Sequence, residues 1–160
     1  MTLPPQHGQH EAKGDTHNDA VSKHRLRIWL RFLDTNRTMQ SHLRTSLRND
    51  FDTTLPRFDV LATLDRYRDG LRMSHLSAHL KVSNGNVTGI IDSLIREGHV
   101  IREVSPEDKR AATVRLTKRG IERFAEMATS HEEWVNKMFA GMDSDDLDQF
   151  AGLLDLLEER

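Results

Sequence analysis

Apolar positions along this chain recur with two periods, and each change of period marks a new element. From about Ala20 to Arg48, Leu26, Trp29, Leu30, Leu33, Leu43 and Leu47 follow a three-to-four spacing, which predicts one long helix. Ile28, Phe32 and Met39 form a second stripe on it, so the helix calls for two packing partners, one of them from another subunit. Pro56 suits a first helical turn, and Phe58, Val60, Leu61 and Leu64 then define a short helix closed by Asp69-Gly70. Leu71 to Met73 supply a short extended piece. Ser74 reads as the cap of a helix of barely two turns carrying Leu76, Ala78 and Leu80. Lys81-Val82-Ser83 is a turn, and residues 83 to 98, SNGNVTGIIDSLIREG, predict the next helix. Ser83 is placed as its cap, Val87, Ile90, Ile91, Leu94 and Ile95 as its buried face, and Gly98 as its stop. The period then drops to two. Val100, Arg102 and Val104 alternate with Ile101 and Glu103, and Ala112, Val114 and Leu116 repeat the pattern beyond SPEDKR, giving two strands with a charged tip. Thr117 begins a long helix through about Phe139, Gly141 interrupts it, and Asp143 or Ser144 caps a last helix. The stripe of that helix, Leu147, Phe150, Leu153, Leu154 and Leu157, requires a partner surface.

The order helix, turn, helix, hairpin is that of a winged helix-turn-helix, a module for holding DNA. The expected fold class is mainly α with a small β-hairpin wing, the winged module spanning about 55–120. Helices over about 20–50 and 121–160 serve dimerisation. A chain of 160 residues predicts one domain, here 20–160. Its first residues, MTLPPQHGQHEAKGDTHND, lack the apolar core of a secretory signal and read as a disordered tail over 1–19. No run of about 18 apolar residues is present, so a soluble, cytoplasmic chain is expected. The absence of Cys excludes disulfides and thiolate metal sites.

A net charge of −2 conceals segregation. Residues 1–55 hold 8 Lys/Arg against 6 Asp/Glu, residues 56–120 hold 12 against 8, and residues 121–160 hold 3 against 11. A basic middle with an acidic end suits a DNA reader whose far end faces away from phosphates. On the second helix of the module, Asn86 is suited to a bidentate contact with adenine, and Asn84, Thr88 and Ser83 to bases or phosphates, Ser83 doubling as a cap. In the hairpin tip Arg110 suits the negative potential of a narrow minor groove, Asp108 orients it, and Lys109 and Arg72 are phosphate contacts. Lys118 and Arg119 open a helix where positive charge opposes the dipole, which an external anion would explain. His75 and His79 have i, i+4 spacing, yet no third ligand is adjacent and they read as solvated or phosphate-near. No nucleophile–base pair, Gly-rich phosphate loop or metal triad stands at chemical spacing, so neither catalysis nor a cofactor is expected.

Over roughly Leu55 to Gly120, and loosely in the flanking helices, the chain resembles the MarR family of bacterial transcriptional regulators. The family's wing pattern of Asp, a variable residue and Arg, followed by Leu-Thr-x-x-Gly, appears as Asp108, Lys109 and Arg110, then Leu116, Thr117 and Gly120. The resemblance implies a homodimer with interlocked terminal helices, each subunit reading half of a near-palindrome. Its recognition helices would enter major grooves about 34 Å apart, with each wing at a minor groove. Many family members carry Arg after the Val-Thr pair of the recognition helix, where this chain has Gly89. Gly within a helix costs about 1 kcal/mol relative to Ala, and Gly85 repeats the question one turn earlier. In the family, effectors lodge near the hinge between the first helices and the long helix after the wing. Here that region offers Arg25, Trp29, Phe32, Asn36, Arg57 and Phe58, a set suited to a small aromatic acid or its CoA thioester that releases a repressor from a pseudo-palindromic operator. Two rival readings are a zinc-responsive regulator using His131 and Glu132, and a winged-helix protein-interaction module without DNA binding, favoured by Gly89 and the negative net charge.

Overall fold

The structure, a computed structural model, describes residues 12–82, 84–104 and 112–158. In chain order the elements are α1 (Ala12–Phe51), α2 (Leu55–Arg66), β1 (Leu71–Arg72), α3 (Met73–Leu80), α4 (Asn84–Arg96), β2 (Val100–Val104), β3 (Ala112–Leu116), α5 (Lys118–Met138) and α6 (Ser144–Glu158). The chain divides into two compact units, one running to Ser41 and one from His42 onward.

The first unit is the long initial part of α1. That helix begins at Ala12, so residues 12–19, expected in a disordered tail, are helical. The segment is polar throughout, so hydrophobic periodicity carried no sign of it, and i, i+4 pairing such as Lys23 Nζ to Asp19 Oδ2 at 2.6 Å gives it modest support. Leu26, Ile28, Trp29, Leu30 and Phe32 are all exposed, and the Trp29 and Phe32 rings stack with centroids 6.2 Å apart.

The second unit holds the core. Leu47 from the end of α1, Val60, Leu61 and Leu64 from α2, Leu76 from α3, Val87, Ile91 and Leu94 from α4, Val100, Val114 and Leu116 from the strands, and Met127 from α5 are buried together. Each comes from the apolar stripe or alternate strand position that its element's period dictates. The three strands form an antiparallel sheet in the order β1-β3-β2, with Leu71 opposite Val114 and Arg102 opposite Val114 on the other side. The extended piece before α3 is thus a third strand of the wing sheet. Its end displaces the expected cap: Arg72 holds the N-cap position and α3 begins at Met73, leaving Ser74 inside the helix. Ala78 is exposed, and the inward position is Ser77, whose hydroxyl donates to the Met73 carbonyl at 2.9 Å. The region expected to serve dimerisation also divides: α5 packs on α2 through Met127 and Phe124, whereas no described residue of α6 is buried. Asp143 and Asp146 cap α6 reciprocally, Asp146 N–H donating to Asp143 Oδ1 at 2.9 Å.

Candidate nucleic-acid interface

The turn between α3 and α4 is closed by Lys81 in the left-handed region (φ 53°), with the Val82 amide donating to the Ser77 carbonyl at 3.3 Å. This sets α4 with Val87, Ile91 and Leu94 inward and Gly85, Asn86, Thr88, Gly89 and Asp92 outward. The outward face is small and polar, as the sequence pattern predicts. A Cβ built on Gly85 or Gly89 meets nothing within 4 Å, so packing within the protein gives no reason for glycine at either position.

The end of α4 is joined to the wing and α5 by a dense set of backbone bonds. Gly98 (φ 76°) ends the helix, its amide donating to the Ile95 carbonyl and the His99 amide to the Leu94 carbonyl, both at 2.9 Å. Thr117 then caps α5: its Oγ1 accepts from the Gly120 amide at 3.0 Å and donates to the Gly98 carbonyl at 2.7 Å. The Thr117 amide donates to the His99 carbonyl at 3.0 Å. A Cβ on Gly120 would lie 2.0 Å from that same carbonyl oxygen, which rules out a side chain there without backbone movement. The Leu-Thr-x-x-Gly pattern is therefore the lock between the end of α4, the start of β2 and the first turn of α5. Two exposed ion pairs orient the hairpin: Arg102 on β2 reaches Asp92 on α4 at 3.1 Å, and Arg115 on β3 reaches Glu103 on β2 at 3.0 Å. The Arg115 guanidinium holds the Glu103 carboxyl below its usual range.

A polar cluster lies behind this junction. Arg57 on α2 donates to Ser93 Oγ at 2.9 Å and pairs with Glu97, while Ser93 Oγ donates to Glu97 Oε1 at 3.0 Å. Burial pushes the Glu97 carboxyl up, and the hydrogen bonds from Arg57 and Ser93 together with the charge of Arg57 outweigh it and bring it below its usual value. Arg123 on α5 donates to the Phe51 carbonyl at 2.9 Å and lies over the Phe51 ring. His99 sits among them. Burial lowers its pKa, and the charges of Arg119, Arg123 and Arg57 lower it further against the opposing pull of Glu97. Nothing in the amino-acid pattern singled out His99 or Ser93, because the cluster is assembled from α2, α4 and α5 across long sequence separations.

Of the residues expected at DNA, Asn86 and Thr88 are exposed on α4, Asn84 is its first residue, and Arg72 is exposed at the end of β1. Ser83, Asp108, Lys109 and Arg110 lie outside the described residues. Of the residues expected around an effector, Arg25, Trp29, Phe32 and Asn36 are exposed in the first unit, with Asn36 accepting from Gln40 at 3.3 Å. Arg57 and Phe58 belong to the second unit. Arg57 is engaged by Glu97, and Phe58 is a core residue at 7% exposure, with its ring against Phe124 and stacked on His131 at 4.6 Å. Tyr67 packs on His79 at 4.9 Å, and among the described residues no group of three or more His, Asp or Glu side chains is arranged to hold a metal ion. No described helix is long and apolar enough to cross a membrane.

Comparison with known proteins agrees with this geometry. The model of the MarR family matches residues 53–112, the stretch from the start of α2 to the far strand of the hairpin. The HTH-type transcriptional regulator YkoM of Bacillus subtilis is 29% identical over 138 residues, covering 86% of this chain and 88% of that one. A MarR family transcriptional regulator from Silicibacter pomeroyi superposes with a TM-score of 0.73 at 28% identity, over 86% of this chain and 95% of that one. Sco3205, a MarR family transcriptional regulator from Streptomyces coelicolor solved in complex with DNA, shares the fold with a TM-score of 0.74 at 23% identity, over 82% and 84% of the two chains. The winged architecture, its Thr117–Gly120 lock and these likenesses converge: from α2 through the wing the chain is similar to the DNA-binding transcriptional regulators of the MarR family.

Proposed function

We propose that the chain is a repressor that binds a pseudo-palindromic operator as a homodimer and leaves it when a small aromatic acid or its CoA thioester binds. The observation that carries the reading is α4, whose apolar face is buried while its small polar face is open to solvent beside the wing sheet. Such a helix fits a major groove, where Asn84, Asn86 and Thr88, with Ser83, reach base edges. Arg110, oriented by Asp108, enters the minor groove, and Lys109 and Arg72 hold phosphates. The likeness to the MarR family over residues 53–112 and the DNA complex of Sco3205 support this assignment. The exposed apolar stripes of α1 and of α6 each offer a surface for a second copy, since large exposed apolar patches mark interaction sites. The response to an aromatic acid rests on the Trp29 and Phe32 rings with the Arg25 cation and the Asn36 amide of the first unit; Arg57 and Phe58 of the second are engaged by Glu97 and by Phe124 and His131.

Operator binding by Arg110→Ala is the test of the DNA reading. Specific affinity falls by about 1–3 kcal/mol, while Arg72→Ala weakens binding evenly across sequences and reduces the salt slope by about one. Undiminished specific binding by Arg110→Ala sinks the wing's assigned role.

A further inference from the structure

Where α5 leaves the wing, a cavity of about 360 Å³ is lined by His99, Arg119, Glu122, Arg123 and Glu126. Its walls are four charged side chains and an imidazole, with no aliphatic side chain, so it suits a small polar ion better than an apolar body. Arg119 has no carboxylate within 4 Å and no hydrogen-bond acceptor among the described residues. Arg123, four residues further along the same helical face, is fixed by the Phe51 carbonyl at 2.9 Å and pairs with the exposed Glu126 at 3.2 Å. The Nδ1 atom of His99 is buried and meets no hydrogen-bonding partner. Arg119, Arg123 and the His99 imidazole therefore line one open space together with the exposed carboxylates of Glu122 and Glu126, at the first turns of α5, whose dipole favours negative charge.

We propose that this cavity binds a small oxyanion, a carboxylate or phosphate group, held by the guanidinium groups of Arg119 and Arg123 with His99 as a further donor. The incoming oxyanion replaces Glu126 on Arg123, an exchange between two acceptors at an exposed pair. Burial and the charges of Arg119, Arg123 and Arg57 lower the pKa of His99 in the free protein, against the opposing pull of Glu97. A bound anion reverses that balance, so binding takes up a proton and strengthens as pH falls through the ordinary histidine range near 6.5. Because His99 opens the wing and Glu97 ends α4, occupancy acts at the joint between the two DNA-facing elements. This last step rests on the regulator reading; the binding itself does not.

The experiment is calorimetric titration of the full chain, without DNA, with inorganic phosphate and with acetate at pH 7.5 and pH 6. Saturable binding that tightens at the lower pH and weakens about tenfold in Arg119→Ala is expected. Lys118→Ala, which removes the same charge from a fully exposed neighbour, leaves it unchanged. Tighter binding of phosphate points to phosphate esters as ligands and tighter binding of acetate to carboxylic acids, either order supporting the site. Equal binding by Arg119→Ala and the parent chain, or no saturable binding of either anion, overturns the proposal. A loss of operator affinity in Arg119→Ala without added anion also overturns it, by assigning that side chain to DNA phosphate. Failure of Arg110→Ala to weaken DNA binding leaves the titration untouched, so the two readings fail separately.

Discussion

Glycine has two opposite meanings in this chain. At Gly120 a methyl group would stand 2.0 Å from the His99 carbonyl oxygen, so Gly120→Ala forces apart the backbone that joins β2 to α5. Overpacking of this kind costs about 1–3 kcal/mol and sometimes more, and the expected lowering of the melting temperature is read by circular dichroism. At Gly89 the same methyl group meets nothing, and Gly89→Ala should stabilise the free protein by about 1 kcal/mol through helix propensity. Denaturant midpoints for the two variants should move in opposite directions; a destabilised Gly89→Ala would show a packing role that the fold does not contain. The pattern ending in Gly120 was legible from the amino acids alone, but its cause was not. The oxygen that excludes a side chain belongs to His99, twenty-one positions earlier, and is brought there only by the closure of the sheet.

Elements with a strong apolar period were the legible ones. The stripe of α4 and the alternation of β2 and β3 name their buried residues directly, because burial is what imposes those periods. Polar elements carry weaker signals: the first turns of α1 have no stripe, and Ser74, a cap by residue type, lies inside α3 because β1 pairing fixes Arg72 in extended backbone. Ion pairs between elements were hidden for the same reason. Arg57 read as a candidate anion holder, and in the fold its partner is Glu97 at the end of α4. Arg57→Ala removes the bonds to Ser93 and Glu97 and should destabilise α2 against α4 by about 1 kcal/mol. The Glu97 carboxyl should then titrate higher, an NMR measurement. With its folded pKa below the ordinary value, Glu97 adds stability above the carboxylate range that is lost as pH falls through it, and solvent exposure keeps this contribution small.

For the whole molecule, acid should matter through histidine. Burial lowers the pKa of both His131 and His99, and the arginines add to the effect at His99. Below a pH of about 6.5 the unfolded chain takes up protons that the folded chain refuses, so stability rises with pH until that value and falls on acidification. Thermal melts at pH 7.5 and 5.5 should show the drop, and a melting temperature flat across that interval would contradict the burial of these rings. The apolar face of α6, with Leu153 at 57% and Leu157 at 70% exposure, should be covered in solution by a second copy. Light scattering of Leu153→Glu combined with Leu157→Glu is expected to report one chain where the parent reports two.

The open space over Gly89 also bears on how such a regulator changes its target. Most surface positions that touch a partner are hemmed in by neighbours, so a new side chain there disturbs the scaffold before it alters recognition. At position 89 the first side-chain atom meets open space, and if α4 enters the major groove as proposed, Arg, Lys, Gln or Asn there would each bring a different preference for base edges. A small library at this one codon, selected against altered operators, offers a direct route to retargeting the protein.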